Sequence, residues 1–153
     1  MATFTSVTDG DWDDGATWGN TSPGTEGVDY PGSGDLAILR GDNVTLTSAQ
    51  TVGTIYIESD ATLTADSEVL LTCDEGGGNP IFDLDGTIVG ILNVKITGDT
   101  SRNIDLKGAS GNVNNLEIDS SGQTFTLGDA GVTHTLDGDL TITAGTFDTN
   151  DIA

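Results

Sequence analysis

The sequence has one cysteine, one histidine, one methionine and four basic residues, Arg40, Lys95, Arg102 and Lys107. Each scarcity excludes something. A lone Cys73 can form neither an internal disulfide nor a cysteine zinc cluster. Four scattered cations cannot make the patch that a phosphate backbone requires. Against 25 acidic residues they leave a net charge of −21, so an anionic membrane surface would also repel the chain. No apolar run approaches the roughly 18 residues of a membrane span. Residues Met1–Gly10 hold no basic segment followed by an apolar one, so no export signal is expected there. Helix formers are few: two Lys, five Glu and three Gln or Met residues.

What is abundant is Thr, Gly and Asp, at 24, 22 and 20 residues. Gly and Asp turn the chain, and Thr with Val and Ile favours strands. Leu, Ile, Val and Phe total 37 of 153 residues. That fraction stays above the roughly 20% below which so charged a chain is expected to be disordered. A thin aliphatic core is therefore possible.

The apolar residues alternate with polar ones, as in Val44-Thr-Leu-Thr, Ile55-Tyr-Ile-Glu, Leu116-Glu-Ile-Asp and Leu140-Thr-Ile-Thr. Period two gives strands with one buried and one wet face. The runs recur: Leu92-Asn-Val, Leu116-Glu-Ile and Leu140-Thr-Ile start 24 residues apart, and Gly98, Gly122 and Gly145 follow them. A second short strand follows each turn, at Ile104, Phe125 and Thr146. A period near 24 with two or three strands per unit predicts a solenoid. The expected fold is all-β: a right-handed parallel β-helix (solenoid) of about five coils over 35–153, with 1–34 as an N-terminal cap. The competing reading of the same strand spacing is a β-sandwich or jelly roll.

Both tryptophans, Trp12 and Trp18, lie in the first segment, with Tyr30 close by. The open end of a solenoid exposes apolar side chains and strand edges, so these three aromatics are expected to form a structural cap. Alternatively they would form a platform for stacking sugars.

The stretches Gly10-Asp-Trp-Asp-Asp-Gly-Ala-Thr-Trp-Gly, Pro31-Gly-Ser-Gly-Asp, Asn43-Val-Thr-Leu-Thr and Val52-Gly-Thr-Ile-Tyr-Ile-Glu-Ser-Asp-Ala-Thr-Leu-Thr resemble the entry segment of parallel β-helix domains. Such segments occur in bacteriophage virion structural proteins and in bacterial surface proteins. The resemblance covers roughly residues 5 to 65. It implies a non-enzymatic virion protein, a capsid decoration or cement protein assembled in the host cytoplasm. Its partner would be the major capsid protein or another virion protein, and it would be a homotrimer. The other implied reading is a carbohydrate-binding or adhesin module of a tail or surface protein.

Candidate chemistry is sparse. His134, in Gly-Val-Thr-His-Thr-Leu-Asp, reads as an outward strand or turn residue. Cys73 follows an apolar run and precedes Asp74 and Glu75, which would disfavour a thiolate. Asp83/Asp85, Asp137/Asp139, Asp9/Asp11 and Asp13/Asp14 are carboxylate pairs of the kind glycoside hydrolysis uses. Twenty Asp on small turns produce such pairs by composition alone. No catalytic residue, cofactor site or metal site is expected. Calcium is the one ion the composition favours, with a loose glycine-rich stretch from Gly76 to Gly86 as its only motif.

Overall fold

A computed structural model of the chain describes residues 1–75, 78–108, 110–128 and 133–150. Two short strands, β1 (Thr3–Thr5) and β2 (Gly10–Asp11), open the chain, and a single 3-10 turn covers Gly15–Trp18. The first full turn is β3 (Leu36–Leu39), β4 (Asn43–Leu46) and β5 (Gln50–Val52). The second is β6 (Thr54–Ile57), β7 (Thr62–Ala65) and β8 (Val69–Cys73). The third is β9 (Phe82–Leu84), β10 (Thr87–Val89) and β11 (Leu92–Ile96). Then come β12 (Arg102–Asp105), the long β13 (Leu116–Leu127) and β14 (Leu140–Asp148).

Every strand pairing among the described residues is parallel. Each strand sits on its counterpart in the next turn. One face stacks β1, β3, β6, β9, β12 and the second half of β13. A second face stacks β2, β4, β7 and β10, and a third stacks β5, β8, β11, the first half of β13 and β14. The protein is a parallel β-solenoid of about four turns. The fifth turn expected from the repeat is incomplete. After β10 the second face continues only as isolated bridges, Thr87 to Ser110 and Val113 to Leu136.

The interior follows from alternation plus register. Inward residues form continuous rows: Val52, Cys73, Ile96, Ile118 and Ile142 on the third face, and Ala37, Ile55, Phe82, Ile104 and Leu127 on the first. All members but Leu127 and Ile142 are essentially fully buried. Full burial of one such side chain stabilises by about 1.5–3 kcal/mol. The register departs from the uniform period. Leu116 pairs with Val94 and not with Leu92, a step of 22 residues, whereas Leu116 to Leu140 is the expected 24. Among the full turns the steps on the first face range from 18 (Ala37 to Ile55) to 27 (Ile55 to Phe82), and the entry segment adds a step of 33 (Phe4 to Ala37). Turns of different length absorb these differences.

Where the chain leaves β5 for β6, Gly53 leaves no room for a side chain. A Cβ there would stand 1.7 Å from the Glu75 carbonyl oxygen of the next turn.

The entry segment lies against the first turn. β1 extends the first face, β2 extends the second, and the two tryptophans fill the space between. Trp12 and Trp18 are 1% and 5% exposed, and their rings meet edge to face at a centroid distance of 5.2 Å. Each indole N–H has a main-chain acceptor: Trp18 donates to the Trp12 carbonyl and Trp12 to that of Pro31. Phe4 meets Trp18 edge-on, and Tyr30 packs half-buried against the same cluster. Replacing Trp12 with Ala is expected to cost about 3–5 kcal/mol. A denaturant melt checks this.

Candidate functional site

The two inward rows are apolar apart from the Cys73 thiol, so most polar side chains of these strands lie on the outward rows. On the first face an outward row gathers titratable groups across several turns. Its in-register members are Ile38, Tyr56, Asp83 and Asp105, from β3, β6, β9 and β12. Beside Tyr56 lies an open recess of about 370 Å³, lined by Tyr56, Ile57, Glu58, Ser59, Asp83 and Asp85. A second, of about 240 Å³, shares Asp83 and Asp85 and adds Pro80, Asn103, Asp105, Lys107 and Gly128. The two form one groove crossing three turns.

The charges in this groove are already engaged. Lys107 Nζ lies 3.0 Å from Asp105 Oδ2 and 3.3 Å from Asp85 Oδ1. The carboxylates of Asp83, Asp85 and Asp105 come within 4.8 Å of one another. Ion-free carboxylates this close repel, and the Lys107 ammonium stands where a cation would relieve them. The group is a salt-bridge cluster, and no ion is assigned to it. At the other end Arg40 forks onto both oxygens of Glu58, which holds the Glu58 carboxyl below its ordinary range. Burial, then the nearby Asp83 carboxylate, raises the Tyr56 phenol. The glycine-rich stretch read as a loose calcium motif does not join the groove as a unit, and Gly76 and Gly77 lie outside the described residues.

The remaining candidates have structural duties. His134 is not outward-facing, as its sequence context suggested; its side chain is 3% exposed. Its two ring nitrogens contact the Leu106 N–H and the Gly128 carbonyl. Cys73 is fully buried in its aliphatic row. Burial, helped by Asp74, pushes its thiol well above the ordinary value. Asp9 accepts from the Asn43 N–H, Asp14 caps the 3-10 turn at Ala16, and Asp137 accepts from Asn112. The exposed Glu75 and Asp99 share a hydrogen bond, which raises Glu75 and lowers Asp99.

Trp12 and Trp18 offer no exposed ring face, so the sugar platform conceived from them does not exist in this fold. The sequence pointed to Asp83/Asp85, but not to Asp105 or to Lys107 as their partner. Only the 22-residue step from Phe82 to Ile104 brings those together. Comparison of the chain with protein-family models, with curated proteins and with solved structures gave no match.

Two outcomes follow. Lys107→Met leaves Asp85 and Asp105 without their shared cation. It is expected to cost about 1 kcal/mol, seen as a melting temperature lower by roughly 2–4 °C, and less in high salt. For Cys73 the unfolded thiol ionises near its ordinary value of 9.0, whereas the buried thiol keeps its proton. Above that pH the unfolded chain binds fewer protons, so stability falls as pH rises, and Cys73→Ala flattens that alkaline fall. A thiol reagent at mildly alkaline pH should label Cys73 only after unfolding.

Proposed function

We propose that the protein is a non-enzymatic structural component of a virion, a decoration or cement protein that stabilises the assembled head. One observation supports the non-enzymatic reading: the side chains best suited to chemistry are each taken up by the fold. His134 is bound by main chain, Cys73 is buried, and Lys107 bridges two aspartates. The virion assignment itself rests on the resemblance of residues 5 to 65 to β-helix entry segments.

The mechanism of such a protein is adhesion. A stack of parallel strands resists bending, and a net charge of −21 discourages lateral aggregation. The interior rows end on β14, where Leu140 and Ile142 are 42% and 48% exposed, while their in-register neighbours Leu116 and Ile118 are buried. In this reading a shell protein covers that row, and burying it supplies apolar contact area for docking. The assembled form is a trimer located on the capsid and made in the host cytoplasm.

The test is particle stability. Heads assembled without the protein should lose heat resistance, and adding it back should restore it. The Ile142→Asp variant should fold but fail to sediment with the heads. Its mass in solution should be three times the 15.6 kDa of the chain. Heads of equal heat resistance with and without the protein would overturn the proposal.

A further inference from the structure

A parallel ladder alternates N–H donors from one strand and the next at even spacing. Between β12 and β13 the Gly128 N–H donates to the Ile104 carbonyl at 2.8 Å. The next rung of that ladder would run from the Leu106 N–H to the Gly128 carbonyl. It does not close directly. The Leu106 N–H donates to His134 Nδ1 at 3.2 Å, and His134 Nε2 lies 2.8 Å from the Gly128 oxygen. The imidazole is inserted into the rung, bridging donor to acceptor. Only the neutral ring protonated at Nε2 satisfies both ends.

We propose that His134 is an acid-sensitive latch between the fourth turn and the winding that follows it. Among the described residues, the charged groups facing it are on one side. Asp105 Oδ1 lies 3.6 Å from Nδ1, Lys107 sits on the other oxygen of Asp105, and Asp85 is reached through Lys107. From β13 the ring meets Gly128, which presents main chain. A proton on Nδ1 removes the acceptor of the Leu106 N–H and creates a donor beside Asp105. The ring then turns its Nδ1–H to the carboxylate, and the Leu106 N–H, buried at 4% exposure, loses its partner. Acid therefore opens this rung while leaving neighbouring rungs intact. The effect runs one way: the latch holds while the imidazole is neutral and releases when Nδ1 takes up a proton. The inference does not depend on the proposed virion role.

Amide hydrogen exchange of the full chain tests it, read at Leu106 and corrected for the intrinsic pH dependence of exchange. Thr97, whose N–H donates to the Cys73 carbonyl in a regular rung, is the internal reference. Between about pH 8 and about pH 5, Leu106 should lose about ten-fold in protection relative to Thr97. His134→Gln carries a donor and an acceptor that do not titrate and should abolish that change. Should this variant fail to fold, the wild-type ratio and the ring nitrogen shifts of His134 still decide. A Leu106-to-Thr97 ratio unchanged between the two pH values would overturn the latch, as would a ring carrying its proton on Nδ1 at about pH 8.

Discussion

The structure depends on one constraint, the vertical register of parallel strands from turn to turn. Each strand is two to five residues long, apart from β13 and β14, and none is stable alone. Its main-chain groups are satisfied by the strands above and below, and its inward side chains are dry because the same row continues in the next turn. Stability is therefore shared between neighbours, as in other repeat folds. The row through Val52, Cys73, Ile96, Ile118 and Ile142 shows this directly. The four members with a further layer beyond them are shut off from water, and Ile142 is half exposed.

The same register organises the charge. A chain of net charge −21 repels itself, and its four basic residues are placed where they join turns. Arg40 reaches Glu58 on the adjacent turn, and Lys95 reaches Glu117 and Asp119. Lys107 reaches back to Asp85, and Arg102 donates to the Gly78 carbonyl. Asparagines do similar work without charge: Asn93 accepts from the Asn114 side chain and the Asn115 N–H, and Asn115 accepts from the Asp139 N–H. Surface ion pairs of this kind contribute little each. Their positions across turns matter more, because they counter repulsion at the interface that holds the stack together.

Functional groups in this fold are subordinate to stacking. The histidine repairs a ladder rung, the cysteine acts as a small aliphatic residue, and the carboxylate cluster is closed by its own lysine. That pattern favours a protein that acts by presenting a rigid shape. The groove beside Tyr56 is one place where several turns contribute polar side chains to a common surface, and a recess lined by Asn93, Asn115, Glu117, Asp139 and Thr141 is another.

By itself, the sequence determined the fold class. Alternation at period two, glycine and aspartate at the turns and a recurrence near 24 residues sufficed for stacked parallel strands, since burial of one face follows from residue order alone. It could not determine register. A slip of two residues keeps every apolar side chain inward, so Leu116 pairing with Leu92 or with Val94 looks the same in the pattern. A slip of one would have been visible. Turn lengths and side-chain packing chose Val94. The site inherits that choice: Asp83, Asp85, Asp105 and Lys107 meet, and His134 enters the rung between Leu106 and Gly128, because of steps between turns that only the folded stack sets.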